Sequence, residues 1–138
     1  MVIAGIDHIV LRTSQLEKML RFYCDVLGCH VERELPPETG LVQLRAGTAL
    51  IDIVPVDSEL GRAGGGPPTA TENNMDHFCL LLEPISPQQL TEHLKQHKVS
   101  VGDFAKRYGS EGFGDSIYIQ DPEGNTVELR SKKRSVDD

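Results

Sequence analysis

The pattern of apolar and polar positions is laid down twice along the chain. Asp7-His8 leads into the apolar run Ile9-Val10-Leu11, and Asp76-His77 leads into Phe78-Cys79-Leu80. Self-similarity of this kind marks a duplicated structural unit. Each run is followed by a serine three residues ahead of Glu or Gln: Ser14 before Glu17, and Ser86 before Gln89. That spacing predicts a capping box, in which each side chain satisfies a backbone N–H at a helix start. Pro87 strengthens the second, because its fixed φ suits the first helical position. A first helix is expected over 15–27, burying Leu16, Met19, Leu20, Tyr23 and Leu27, with Gly28 as its left-handed stop. A second is expected over 87–97, burying Leu90 and Leu94. Three extended stretches follow each helix, at 29–35, 41–46 and 49–54, then at 100–107, 115–120 and 126–130. Asp121-Pro122-Glu123-Gly124-Asn125 supplies turn residues for the last hairpin.

Each half therefore reads β-α-β-β-β, at 1–56 and 74–131, with Gly64-Gly65-Gly66-Pro67-Pro68 marking 57–73 as a linker. The fold class is α+β. A helix covers only one face of a four-stranded sheet, so the other face needs a partner sheet or a ligand. The two modules are expected to pair into a curved mixed sheet, forming one domain over 1–138.

Strand alternation assigns the faces. Ile9 and Leu11, Ile51 and Ile53, Phe78, Leu80 and Leu82, Ile117 and Ile119, and Val127 and Leu129 belong against the helices. His8, Asp52, His77, Tyr118 and Glu128 are left on the opposite, concave faces. The repeat matches His8 with His77 and Asp52 with Glu128. The His-to-carboxylate spacings are 44 and 51 residues. Two imidazoles with one or two carboxylates make a ligand set for a divalent cation such as zinc, nickel, manganese or iron. The stretch from Phe104 to Gly114 reads as a Gly-punctuated loop beside this face, where Lys106 and Arg107 can bind an anionic group; Arg45 can serve the same purpose. Cys79 shares a face with His77 and is expected to be a packed, neutral thiol.

Composition narrows the partners. Among 138 residues, 38% are hydrophobic and 25% charged, a balance suited to one globular domain. Lys and Arg total 14 against 21 Asp and Glu, a formal charge of −7. That surplus argues against nucleic acid or an anionic membrane as partner. The N-terminal residues lack a secretory pattern, and three cysteines without a C-x-x-C pair suggest neither a disulfide scaffold nor a thiolate zinc site. A cytoplasmic location is the expectation, with Lys132-Lys133-Arg134 read as a frayed tail. A homodimer is expected from the edge and face area that eight short strands expose.

These motifs resemble the vicinal oxygen chelate superfamily, which includes glyoxalase I, bleomycin and fosfomycin resistance proteins and extradiol dioxygenases. The resemblance is carried by Asp7-His8-Ile9-Val10-Leu11, Phe22-Tyr23 with Leu27-Gly28, Asp76-His77-Phe78, and the stretch from Ser116 to Leu129. It implies His8, His77 and Glu128 as ligands of a divalent metal with open positions. The chain departs from glyoxalase I at Asp52, where Glu is usual; the shorter side chain is expected to act at longer range, through water, or as a base. The resemblance implies a glyoxalase-like lyase or isomerase acting on a small substrate with vicinal oxygens; Asp52 or Glu128 is the candidate for moving the proton, and Arg45, Arg107 and Tyr118 are expected from their placement to contact substrate. Fe(II) ring cleavage, thiol transfer of the fosfomycin-resistance type and metal-free binding of a small molecule are the alternatives.

Overall fold

The computed structural model describes residues 1–71 and 73–133. The chain divides into two compact units, Met1–Asn73 and Asn74–Asp138. The basic stretch Lys132-Lys133-Arg134 ends on Arg134, which lies outside the described residues.

In the first unit, β1 (His8–Thr13) leads into α1 (Leu16–Arg21), which continues as a π-helical turn over Phe22–Val26. β2 (His30–Glu34), β3 (Val42–Ala46), β4 (Ala49–Pro55) and the short α2 (Glu59–Arg62) follow. The sheet order is β1-β4-β3-β2, with β1 parallel to β4 and the other pairs antiparallel. Met19, Tyr23, Leu44, Ile51 and Ile53 are buried, each worth about 1.5–3 kcal/mol in removed apolar surface. The π-turn, marked by the bonds from Leu27 N to Phe22 O (3.1 Å) and onward to Gly28 at φ 82°, adds a residue to the last turn. Phe22 and Tyr23 are both buried, at i+3 and i+4 from the buried Met19.

The expected first capping box does not form. The N-cap is Gln15, without a side-chain cap, and the Thr13 hydroxyl accepts from the Gln15 backbone N–H at 2.8 Å. The helix begins one residue later than a Ser14 cap requires, because the buried Thr13 closes a hydroxyl turn of its own. The linker is also more structured than its composition implies. Ser58 caps α2, and Arg12 on β1 donates to the Gly61 and Gly65 carbonyls.

The second unit repeats the plan: β5 (His77–Leu82), α3 (Pro87–Gln96), β6 (Ala105–Gly109), β7 (Gly112–Gln120) and β8 (Thr126–Ser131), ordered β5-β8-β7-β6. Its capping box is complete: Ser86 Oγ accepts from Gln89 N at 3.1 Å, and Gln89 Oε1 accepts from Ser86 N at 3.1 Å. Leu90, Leu94, Ile117, Ile119, Val127 and Leu129 are buried. In the β7–β8 turn, Asp121 Oδ1 accepts from the N–H groups of Glu123 and Asn125, both at 2.9 Å, and Gly124 takes φ 84°.

Two expectations fail in this unit. The strand placed at 100–107 runs instead over Ala105–Gly109, and the Phe104–Gly114 stretch is a tight β6–β7 hairpin rather than a loop. Its glycines have a packing reason. The Arg130 side chain, 6% exposed, donates to the Gly112 carbonyl at 2.9 Å. A Cβ on Gly109 would lie 2.1 Å from Arg130 Nη1, and one on Gly114 would lie 2.8 Å from Nη2. The turn residues thus clear room for a buried guanidinium.

Two predictions follow from this packing. Ser86→Ala is expected to cost about 1 kcal/mol through loss of the cap, read as a lower urea midpoint by far-UV circular dichroism. Gly109→Ala is expected to displace the guanidinium and cost about 1–3 kcal/mol. In an Arg130→Met background the same change should cost clearly less, so additive effects in the double-mutant cycle would contradict the packing account.

Candidate functional site

The second unit brings three of the expected residues together. β5 and β8 run parallel with His77 opposite Thr126, so Glu128 lies two positions along the ladder, opposite Cys79, on the face that carries His77. His77 Nε2 stands 3.1 Å from Glu128 Oε1. Its other ring nitrogen, Nδ1, is 2.6 Å from Asp76 Oδ1. An ionised carboxylate only accepts, so Nδ1 carries a proton toward Asp76, and the approach of Nε2 to Glu128 needs a proton or a cation between the two atoms. Tyr118 is opposite Glu128 on β7, and its ring meets the His77 ring edge-on at 5.1 Å. Glu128 is buried while His77 is partly open.

The first unit repeats the arrangement. β1 and β4 pair in parallel with His8 opposite Leu50, which puts Asp52 two positions along the same face, as Glu128 stands to His77. His8 Nδ1 is 2.7 Å from Asp7 Oδ1. That hydrogen bond raises the imidazole pKa above its ordinary value; slight desolvation opposes it, and the Asp52 and Asp7 charges add to it. Asp52 is 3% exposed. Gln43, opposite it on β3, donates to Oδ2 at 3.3 Å, and Arg33 donates to Gln43 Oε1 at 3.0 Å. The other oxygen, Oδ1, is buried with no hydrogen-bond partner. A buried, unsatisfied carboxylate oxygen is costly unless a cation or water meets it.

The donor chemistry fits a divalent ion. Two atoms bound to one ion at about 2.1 Å, near a right angle, lie about 3 Å apart, the spacing of His77 Nε2 and Glu128 Oε1. Carboxylates on the far ring nitrogens fix the tautomer that leaves Nε2 free to ligate. Among the described residues, no three His, Cys, Asp or Glu side chains gather as a metal-holding group. The expected set His8, His77 and Glu128 is drawn from residues of both units, and within each unit by itself a His bonded to the preceding Asp shares a face with a buried carboxylate.

The expected substrate contacts separate. Arg107 lies on the Glu128 face: its guanidinium sits over the Tyr118 ring at 4.3 Å, and Nη1 donates to the Ser116 carbonyl and to Ser116 Oγ at 3.0 Å. Lys106 alternates to the opposite face, opposite Asp115 and 5.9 Å from the Phe113 ring centre, so it does not share the site. Arg45 shares the His8 face, but both its Nε and Nη2 donate to Glu32, at 2.9 and 3.0 Å. Cys79 is exposed rather than packed, but its thiol is neutral as expected, pushed up to about 11 by desolvation first and by the Glu128 charge. Residues that the sequence reading missed are Asp7 and Asp76, Gln43 beneath Asp52, and the buried Arg130. The repeated Asp-His dipeptide signalled the first two; nothing local marks Gln43 or Arg130.

Comparison with known proteins agrees with this architecture. Residues 5–129 match the family model described as the Glyoxalase/Bleomycin resistance protein/Dioxygenase superfamily. The chain is 28% identical over 130 residues to virulence protein STM3117 of Salmonella typhimurium, covering 94% of this chain and 85% of that protein. The crystal structure of that protein superposes with a TM-score of 0.71 at 27% identity, covering 96% of this chain and all of the other (100%). Biphenyl-2,3-diol 1,2-dioxygenase 2 of Rhodococcus globerulus is 32% identical over 146 residues; the alignment takes in 95% of this chain and 64% of that enzyme's length. Lactoylglutathione lyase from Agrobacterium tumefaciens shares the fold, with a TM-score of 0.65 at 23% identity over 93% of each chain. The duplicated β-α-β-β-β unit and the match over nearly the whole chain place this protein in the glyoxalase/bleomycin resistance protein/dioxygenase superfamily.

Proposed function

We propose that this protein is a metal-dependent enzyme that takes a small substrate with two adjacent oxygens and moves a proton on the neighbouring carbon, as a glyoxalase-like lyase or isomerase. The observation that carries this reading is the oriented pair in the second unit, His77 Nε2 at 3.1 Å from Glu128 Oε1 with Asp76 on Nδ1, together with its register-matched counterpart His8 and Asp52. His8, His77 and Glu128 are the residues that would hold the ion, drawn from zinc, nickel, manganese or iron. When bound, such an ion supplies Lewis acidity to paired substrate oxygens.

The remaining steps belong to the chain's own groups. Asp7 and Asp76 hold the imidazoles in the ligating tautomer. Asp52 keeps one oxygen free of hydrogen bonds, which suits it to accept a proton from carbon and return it to the adjacent position. A displaced Glu128 is the other carboxylate able to do so. Arg107, with one nitrogen held by Ser116 and its plane on Tyr118, would orient an anionic group of the substrate. Arg45 is discounted by its two bonds to Glu32.

The protein is further proposed to act in the cytoplasm as a homodimer. β1 and β5 each end their own sheet, with Val10 52% and Leu81 44% exposed on them. Modules of this kind pair within a chain or across two chains. Sedimentation at micromolar concentration is expected to return the mass of two chains; a single-chain mass would contradict the dimer.

A second reading is Fe(II)-dependent ring cleavage, favoured by the 32% identity to a biphenyl-2,3-diol dioxygenase. The experiment compares a glutathione hemithioacetal with a catechol under oxygen, each with several metals added back. Turnover of the hemithioacetal is expected, falling about 100-fold or more in Asp52→Asn with binding of the metal retained. Turnover of the catechol alone, dependent on Fe(II), would replace the first reading with the second. Silence with both would leave small-molecule binding without catalysis.

A further inference from the structure

α3 carries two imidazoles that the proposed centre does not use. His93 and His97 are four residues apart, so they lie on one face of the helix. Their ring centroids are 4.7 Å apart and their planes are inclined by 50°. We propose that this pair is a second divalent-metal site, taking a late first-row ion such as nickel, copper or zinc, with water completing the coordination shell.

The spacing carries the argument. A metal about 2.1 Å from a ring nitrogen lies about 3.2 Å from that ring's centre, so two rings on one ion at angles of about 90–109° have centroids about 4.5–5.2 Å apart. The pair already stands within that range. Helical His residues at this spacing chelate zinc in the H-E-x-x-H metalloproteases for the same geometric reason. Imidazole suits nickel, copper and zinc ahead of magnesium or calcium, which select oxygen donors.

The scaffold holds the pair in place. Ser86 and Gln89 close the N-terminal box, Leu90 and Leu94 are buried, and Val99 N donates to Leu94 O at 2.9 Å beyond the helix end. Lys95, two residues from each imidazole, is rotated about 200° away around the helix. Both rings lie at the C-terminal end of the helix, where the helix dipole favours a bound cation. Among the described residues no third His, Cys, Asp or Glu joins them in a metal-holding group, which is why water must fill the other positions.

The test uses the full chain without an affinity tag, carrying His8→Ala and His77→Ala to remove the centre proposed above. Calorimetric titration with nickel at pH 7.5 is expected to show one equivalent per chain. That equivalent should be lost in His93→Ala and in His97→Ala and kept in His30→Ala. If the parent double variant does not fold, the drop of one equivalent between the unaltered chain and His93→Ala decides instead. Absence of nickel binding, or binding that survives replacement of either α3 histidine, would overturn the proposal. Either result leaves the His8, His77 and Glu128 centre standing or falling on its own variants.

Discussion

The parallel pairing of each unit's first strand with its last is the constraint on which the rest depends. In a parallel ladder, a residue two positions beyond a pairing partner returns to the same face. His77 opposite Thr126 therefore brings Glu128 beside it, and His8 opposite Leu50 does the same for Asp52. A slip of one residue in either ladder would send the carboxylate to the helix side and put Val127 or Ile51 on the site face. The buried apolar sets of β4 and β8 oppose such a slip, so core packing and site geometry are enforced together.

Burial then divides the labour between the paired groups. β4 and β8 are interior strands, and Asp52 and Glu128 on them are nearly sealed, whereas the imidazoles on the end strands β1 and β5 stay partly open. A sealed carboxylate with an unsatisfied oxygen holds back free energy that a cation or a proton transfer can release. The neighbouring aspartates cost the chain nothing in burial, being exposed, yet they set which ring nitrogen faces the site. In the second unit the same face continues through Tyr118 to Arg107, and Arg130, on that face too, anchors the β6–β7 hairpin that carries Arg107.

The duplicated plan and the face of each site residue were legible because both rest on period-two alternation and on a repeated Asp-His dipeptide. Pro87 with the Ser86 box made α3 the most readable element. The misreadings have local causes. Thr13 took the turn that Ser14 was expected to make. The glycines at 109 and 114 read as loop because their purpose is to admit a side chain from β8, a long-range fact that composition does not carry, while Gly112 serves the turn with φ 91°. The engagement of Arg45 by Glu32 and the position of Gln43 below Asp52 likewise depend on cross-strand register.

The central claim is that two imidazoles and a carboxylate, contributed by matching positions of a duplicated unit, bind one metal. X-ray absorption at the zinc edge of the zinc-loaded chain tests it most directly, with His93→Ala and His97→Ala introduced so that α3 does not contribute. The account predicts two imidazole ligands with the remaining scatterers oxygen, reduced to one imidazole when His8 is also replaced. A single imidazole in the parent, or sulfur in the first shell, would contradict it.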